Sequence, residues 1–371
     1  MGNYLGYNSK MLAFGMMRLP RAKGKVDLEQ TKAMVDVFME RGFNYFDTAY
    51  VYGDGESERA VKAAVVDRYP REAFWLTDKL PFWDTEKPEQ FNEMFEESLR
   101  RTGAGYFDIY LLHSLNEELY EKTERLGGWD FLKELKAKGR IRHMGFSFHD
   151  TPEVLDKILT EHPEAEVVQL QINYADWENP AVQSRGCYEV ARKHGKPILI
   201  MEPVKGSALA TLNPAMRKVF EDANPNASVA SWAVRYAASL DGVMTVLSGM
   251  SNMEQMLDNT SYMTEFAPLS EDEQETIGKV VEMLNEIPVV PCTKCRYCVD
   301  SCPQKIDIPN AFEIYNELLL FEDRHRAERK YKRIEEGRPS TCIECGSCME
   351  HCPQHIEIPE ELKKVTGTLG E

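Results

Sequence analysis

Asn44-Tyr45-Phe46-Asp47-Thr48-Ala49-Tyr50-Val51-Tyr52-Gly53-Asp54-Gly55-Glu56-Ser57-Glu58 is the stretch on which the fold turns. Tyr45 and Phe46 read as a short strand, and Asp47 ends it. A loop with two glycines follows and carries Tyr52, and a helix begins near Glu56. A carboxylate at a strand end with a phenol a few residues on belongs to a reactive surface more readily than to a core.

Working outward, the same alternation of apolar run and helical pattern repeats. Met11–Gly15 is an apolar run before this stretch, followed by the loop Met16-Met17-Arg18-Leu19-Pro20, and Leu28–Glu40 has helical periodicity closed by Gly42. After it come a helix near 57–67, a strand over Phe74–Lys79, a helix over 88–101 and a strand over Phe107–His113. Helix 129–138, strand Ile141–Ser147, helix 151–160 with Thr151 as N-cap, strand Val167–Asn173 and helix 181–193 continue the series. Strand Pro197–Glu202, helix 227–238, strand Val243–Leu247 and helix 253–263 close it, and a further helix spans 270–285. Eight strand candidates, each followed by a helix, occupy about 260 residues. Strands alternating with helices imply parallel βαβ units, and eight of them at this length fit a closed (β/α)8 TIM barrel. The alternative is an open doubly wound sheet, but no Gly-x-Gly-x-x-Gly follows the first strand.

The chain of 371 residues is long enough for one large barrel and a small appendage. A formal charge of −17 argues against nucleic acid or an anionic membrane as partner. It leaves room for an anionic cofactor, which needs only local donors and helix N-termini. No apolar run is long enough to span a bilayer and no leader pattern stands at Met1, so the expectation is a cytoplasmic protein.

Barrel enzymes keep their reactive groups where strands end. Asp47, Lys79 and His113 end the second, third and fourth strands, and Tyr52 lies in the loop after the second. Neighbouring strand ends share one rim, so the four can meet. A tyrosine ordinarily holds its proton up to pH of about 10. A lysine cation beside it favours phenolate, a carboxylate can hold the lysine, and a histidine can orient a substrate oxygen. That set suits proton delivery to an oxygen gaining negative charge. The structural alternative is an Asp47–Lys79 ion pair closing the barrel mouth.

With these residues in view, positions 10 to about 285 resemble the aldo-keto reductase family: Gly42-Phe43-Asn44-Tyr45-Phe46-Asp47-Thr48-Ala49 with Tyr52-Gly53 and Glu56 is similar to its signature. The resemblance implies Tyr52 as general acid, Lys79 as modulator of its acidity, Asp47 as partner of Lys79 and His113 as the substrate-orienting group. It implies hydride transfer from NADH or NADPH to an aldehyde or ketone, with a small carbonyl compound as substrate. By the same resemblance Ser147 and Gln169 bind the carboxamide, and Met201, Pro203 and Gly206 belong to the loop over nicotinamide and pyrophosphate. Gly249, Ser251, Gln255 and Asn259 match the adenosine loop. No basic residue lies between Gly249 and Asn259. A 2′-phosphate needs charge-assisted donors, so NADH is expected to serve at least as well as NADPH. For Ser251 and Gln255 the alternative role is capping of the last barrel helix. Phe82 and Trp83 either line a substrate pocket or pack within their own loop, and Cys187 reads as a small buried hydrophobe.

The other eight cysteines lie beyond a proline-marked linker near residue 287, so the chain divides into 1–287 and 288–371. Cys292, Cys295, Cys298 and Cys302-Pro303 form a C-x2-C-x2-C-x3-C-P run, and Cys342, Cys345, Cys348 and Cys352-Pro353 repeat it. Each is the run that ligates a 4Fe–4S cluster by thiolate. Paired Cys-x2-Cys would suffice for zinc, but a three-cysteine run with a distal Cys-Pro, seen twice, is more specific. In two-cluster ferredoxins the fourth cysteine serves the other cluster. One set is therefore Cys292, Cys295, Cys298 and Cys352, and the other is Cys342, Cys345, Cys348 and Cys302. The charged, helical stretch 311–336 between the runs resembles the α-helical ferredoxin domains of fumarate reductase-type enzymes.

Clusters pass single electrons and nicotinamide passes hydride, so a relay between them calls for a converter such as flavin. No flavin motif is present, although a barrel can hold flavin phosphate at its seventh and eighth loops. Three readings follow. The first is a carbonyl reductase whose clusters stabilise the chain, sense redox state or dock a redox partner protein. In the second, clusters feed a flavin or a substrate in the barrel. The third is a non-catalytic sensor with a relic barrel, which the intact set of four disfavours.

Overall fold

The computed structural model describes residues 4–7, 9–83, 85–180, 182–292, 296–352 and 354–370. Two compact units arise: one from Met1–Gly206 and Ala230–Ser270, the other from Ser207–Val229 and Glu271–Glu371.

The first unit is a closed barrel of eight parallel strands. They are β1 (Leu12–Gly15), β2 (Tyr45–Asp47), β3 (Trp75–Leu80), β4 (Phe107–Leu115), β5 (Ile141–Phe148), β6 (Val167–Gln171), β7 (Ile198–Met201) and β8 (Val243–Ser248). Closure comes from β1 pairing with both β2 and β8. The open-sheet alternative is thereby removed.

Strand alternation divides the apolar residues between two cores. Ala13, Tyr45, Ile109, Leu111, Val167, Leu199 and Met244 form one cluster, which Tyr7 joins. The opposite parity, with Phe14, Phe46, Leu76, Tyr110, Leu112, Phe146, Val168 and Ile200, packs with helix residues such as Phe38, Phe95 and Leu159. Gly145 shows how close the strands run: a Cβ there would meet the Val167 carbonyl oxygen at 2.0 Å, so any side chain would push β5 off β6.

Helix boundaries follow local chemistry. Asp27 caps Leu28–Glu40 by accepting from Gln30 N, and Glu89–Thr102 ends at left-handed Gly103. Thr151 occupies the N-cap position of Pro152–Glu161 but makes no side-chain capping bond. Proline in that helix's first turn supplies the fixed backbone angle instead. Two helices passed over in the sequence, Glu117–Leu126 and Pro214–Ala223, are capped by Asn116 and Asn213. The helix after β2 is α-helical only over Glu56–Val61 and continues as a π-helical stretch to Val66.

In the second unit Pro214–Ala223 packs against Glu271–Glu286. The two cysteine runs adopt the same backbone course. Short helices Tyr297–Asp300 and Ser347–Glu350 each follow a left-handed residue, Arg296 or Gly346. Lys305 and His355 are both left-handed and bond back to the carbonyls of Cys302 and Cys352. Helices Ile308–Phe321 and Ile358–Leu369 then start with proline in the first turn. The stretch between the runs is helical in two pieces, Ile308–Phe321 and Arg324–Lys332, broken at left-handed Glu322. Among the described residues no helix is long and apolar enough to cross a membrane.

Candidate active site and cluster sites

Register explains how the strand-end residues meet. Asp47 pairs with Thr77, and Lys79 lies two residues on. Lys79 pairs with Leu111, and His113 lies two residues on. Leu111 pairs with Gly145, and Ser147 lies two residues on, directly beside Gln169. Steps of two keep side chains on one face, and the staircase follows the tilt of a barrel's strands.

Lys79 is the hub. Its Nζ lies 2.6 Å from Asp47 Oδ1, 2.8 Å from the Thr48 carbonyl and 3.4 Å from the Tyr52 hydroxyl. Lys79 and Asp47 are buried, whereas Tyr52 keeps partial access to solvent. Gln169 Nε2 donates to the second Asp47 oxygen at 3.3 Å. The Tyr52 and His113 rings meet edge to face at 5.8 Å, and Trp83 lies 5.3 Å from His113 on its other flank. Phe82, by contrast, is buried against Phe91, so the two aromatics of that loop divide between rim and core. A register shift between Leu112 and Leu115, with Ser114 left-handed, re-aims the end of β4 at His113.

Charge states follow from burial and neighbours. Burial opposes the Lys79 ammonium, but the Asp47 charge leads the effects that outweigh it and hold the lysine above its ordinary value. Burial also pushes the Asp47 carboxyl up, and Lys79 opposes that rise. At 2.6 Å the ion pair is the arrangement that satisfies both. Tyr52 departs from the sequence expectation. Lys79 does pull its acidity upward, but burial is the larger effect and Asp47 reinforces it, so the phenol holds its proton more firmly than free tyrosine. Burial, then repulsion from Lys79, pushes His113 well below the usual histidine range, and its Nδ1 is buried with no hydrogen-bond partner among the described residues. His113 is therefore a neutral imidazole beside a protonated phenol.

The dinucleotide-contact candidates divide. Ser147 and Gln169 are buried neighbours on the same rim. Ser147 Oγ accepts from Ser114 N at 2.7 Å, which leaves its own proton to give. A hydroxyl and a primary amide side by side are the donor set a carboxamide needs. Met201 is half-buried at the end of β7, Pro203 is buried, and Gly206 is half-buried in the loop beyond. Around Gly249 the side chains serve the backbone. Gln255 Oε1 accepts from Ser251 N at 2.7 Å, and Gln255 N donates to the N-cap Asn252 at 2.9 Å. Ser251 Oγ donates to the Gly249 carbonyl, and Asn259 Oδ1 accepts from Ser248. Ser251 and Gln255 thus take part in the turn that starts helix Met253–Thr264.

Arg18 was missed as a site residue. A Cβ on Gly249 would lie 3.9 Å from Arg18 Cβ, and the Arg18 guanidinium reaches Glu202 at 3.4 Å. Barrel closure thus brings the Arg18 Cβ beside the loop that lacks basic residues, while its guanidinium reaches Glu202. Cys187 is buried, bonds weakly to the Asp150 carbonyl, and is pushed up to about 12 by burial.

In the second unit the cysteines line two small cavities. Cys302, Cys342, Cys345 and Cys348 line one, so a residue of the first run joins three of the second. Cys292, Cys298 and Cys352 line the other. Cys295 lies outside the described residues. Ile306, Ile308, Pro359 and Leu362 wall the first cavity, and Ile308, Phe312, Ile356 and Ile358 the second. Among the described residues no three His, Cys, Asp or Glu side chains close on a single ion. Thiols spread round an apolar cavity suit a polynuclear cluster, which separates its ligands, better than one tetrahedral ion.

The chain belongs to the aldo/keto reductase family, an oxidoreductase family whose model matches residues 11–282. A 4Fe–4S dicluster domain matches residues 286–353. The chain is similar to the uncharacterized oxidoreductase YqkF of Bacillus subtilis (strain 168), 26% identical over 263 residues, which cover 62% of this chain and 82% of that one. Other curated relatives match over 44% to 58% of their length. Among solved structures, aldo-keto reductase AKR11C1 of Bacillus halodurans in its holo form superposes with TM-score 0.58 at 24% identity, covering 74% of this chain and 93% of that one. An aldo-keto reductase of Klebsiella pneumoniae in complex with NADPH gives 0.58 at 20%, covering 74% and 96%. At these identities the likeness to both structures is one of fold.

Proposed function

We propose that the barrel reduces an aldehyde or ketone with a nicotinamide dinucleotide, Tyr52 giving the proton. The observation that carries this reading is the Lys79 ammonium held between Asp47 and the Tyr52 hydroxyl at the rim. Bound NADH or NADPH supplies the hydride. Ser147 and Gln169 hold the carboxamide end, and Met201, Pro203 and Gly206 form the loop beside it. That loop also covers the pyrophosphate, and Gly249, Ser251, Gln255 and Asn259 lie near the adenosine.

The substrate oxygen binds between Tyr52 and neutral His113. The imidazole fixes the oxygen by hydrogen bonding, and Tyr52 donates its proton as negative charge develops there. Lys79 then stabilises the phenolate left behind, and Asp47 keeps Lys79 in place. Trp83 and partly exposed Tyr52 offer an aromatic wall to the carbonyl's substituents. The test is a panel of carbonyl compounds with NADH and NADPH, on anaerobically purified chain, beside Tyr52→Phe. No turnover across the panel sinks the reading.

In this proposal residues 1–287 are the reductase module and 288–371 the cluster module. Cys292, Cys295, Cys298 and Cys352 hold one 4Fe–4S cluster, and Cys302, Cys342, Cys345 and Cys348 the other. A second reading has the clusters receive electrons from a carrier protein and feed a flavin or substrate in the barrel. It is favoured by the edge of the second site, where Cys345 is exposed and Ile343, at 60% exposure, stands beside the cavity. Protein with neither bound flavin nor clusters reducible by ferredoxin removes that reading.

A further inference from the structure

A buried carboxylate beyond the end of β6 ties down the loop that follows β7, and the chemistry above does not use it. The two strands run side by side, with Gln171 paired to Met201. Past that pair the chain turns, and Asp176 N donates to Asn173 Oδ1 at 2.9 Å. Asn173 and Asp176 are both fully buried. Asp176 Oδ2 accepts from Asn173 Nδ2 at 2.8 Å and from Gln171 Nε2 at 3.1 Å. Its other oxygen, Oδ1, takes the Lys205 ammonium. Asn173 Nδ2 also donates to the Glu202 carbonyl at 3.2 Å. Burying a charge is costly unless it is paired and hydrogen-bonded, and Asp176 has one cation and two amide donors.

These bonds reach a loop whose backbone needs holding. Glu202 and Lys205 lie at φ 56° and 48°, in the left-handed region that residues with a Cβ rarely enter, and Gly206 follows at 61°. Such conformations persist where surrounding contacts over-determine them. Lys205 N closes a turn onto the Glu202 carbonyl at 2.9 Å, and the Glu202 carboxylate meets Arg18 at 3.4 Å. The turn is thus held at its carbonyl by Asn173, at its lysine by Asp176 and at its glutamate by Arg18. Gln169, a proposed carboxamide contact, lies two residues before Gln171 on the same strand face. One strand end therefore bears both a dinucleotide contact and the support of the loop beside it.

We propose that Asp176 is a positioning residue of the dinucleotide site: through Lys205 and Asn173 it holds loop 201–206 in the shape that receives the dinucleotide. This rests on the dinucleotide site proposed above. A loop already ordered raises affinity, because its ordering is not left to the moment of binding. None of these bonds reaches Tyr52, Lys79 or His113. Loosening the loop should therefore weaken binding more than it slows the chemical step.

The test is anaerobic fluorescence titration of the cluster-loaded chain with NADH, beside steady-state kinetics on a carbonyl compound that the native chain reduces. Asp176→Asn keeps the shape and one acceptor but loses the charge. Lys205→Met keeps the stem and loses the cation. Each is expected to raise Kd for NADH about tenfold, while kcat at saturating NADH moves by less than about threefold. Lys205→Arg restores a cation and is expected to bring Kd back to within about threefold of native. The double variant of Asp176→Asn with Lys205→Met should bind no more weakly than the weaker single variant, because the two groups act as one unit. Should Asp176→Asn not fold, Lys205→Met and Lys205→Arg carry the test, since Lys205 is only half-buried. Native Kd in Lys205→Met overturns the proposal, and so does a fall in kcat with Kd unmoved. Additive losses in the double variant overturn the route through Lys205. A native chain that binds no NADH refutes the dinucleotide site itself, whereas native binding with unaltered variants refutes only the role of Asp176, so the two failures are distinguishable.

Discussion

Lys79 Nζ lies 3.4 Å from the Tyr52 hydroxyl and 4.9 Å from the centre of its ring, so the cation faces the phenol while Asp47 holds it from behind. Removing only the Tyr52 oxygen should therefore remove proton delivery and little else. Tyr52→Phe is expected to lower kcat for carbonyl reduction by about 10²- to 10⁴-fold. Dinucleotide binding, measured by fluorescence titration, should stay within about threefold, because the phenol is not among the proposed dinucleotide contacts. A variant retaining native kcat would show that the proton comes from elsewhere.

His113 is held neutral by burial and by the Lys79 cation, its range lying well below that of free histidine. In the unfolded chain the same imidazole protonates near pH of about 6.5. Below that point the unfolded state binds the extra proton first, so stability falls as pH drops towards the folded-state value, by up to about 1.4 kcal/mol per pH unit. Nitrogen-15 spectra of the ring should show neutral imidazole at pH 6. His113→Asn should flatten the acid side of the stability curve relative to the native chain. A ring that titrates near its ordinary value would mean the site is wetter than its burial implies.

Much of this site was legible because barrel geometry makes it so. Asp47, Lys79 and His113 stand at strand ends, and each follows its neighbour's register partner by two residues, which a sequence read strand by strand can anticipate. Two features were not legible for physical reasons. Arg18 meets Gly249 only because β1 closes onto β8, a contact between positions more than two hundred residues apart. The net rise of Tyr52 depends on how burial balances against one nearby cation, and only the folded geometry sets that balance. The cysteine runs, and the grouping of Cys302 with Cys342, Cys345 and Cys348, were legible in the repeated spacing; the apolar residues that wall the cavity lined by those four were not.

The loop from Gly249 to Asn259 carries no cation of its own, and Gln255 spends its side-chain oxygen on Ser251 N. NADH is accordingly expected to support turnover at least as well as NADPH. Gln255→Arg should raise kcat/KM for NADPH relative to NADH by about tenfold, the scale of one charge-assisted hydrogen bond. The loss of the side-chain acceptor for Ser251 N should cost about 1 kcal/mol of stability. Steady-state kinetics with both dinucleotides decide it. A large native preference for NADPH would point to Arg18 as the source of charge, and Arg18→Ala should then abolish the preference.

The crossed arrangement of the cysteines predicts which pairs of substitutions act on one cluster. Cys302 belongs to the first run by sequence, yet it lines the cavity with Cys342, Cys345 and Cys348. Cys352 belongs to the second run and lines the cavity with Cys292 and Cys298. Cys302→Ser and Cys345→Ser should therefore each remove the same cluster, and the double variant should lose no more iron than either alone, about half the native content. Cys302→Ser with Cys298→Ser should remove both clusters and nearly all the iron. Uncrossed ligation predicts the reverse, with the 302/298 pair redundant and the 302/345 pair additive. Iron analysis and electron paramagnetic resonance of the dithionite-reduced proteins separate the two outcomes. Ile308 walls both cavities, and the helices that follow Cys302 and Cys352 belong to one apolar core, so loss of either iron–sulfur cluster should also loosen it. Faster amide exchange in both Ile308–Phe321 and Ile358–Leu369 after one cysteine is replaced would show that coupling, and exchange confined to one helix would refute it.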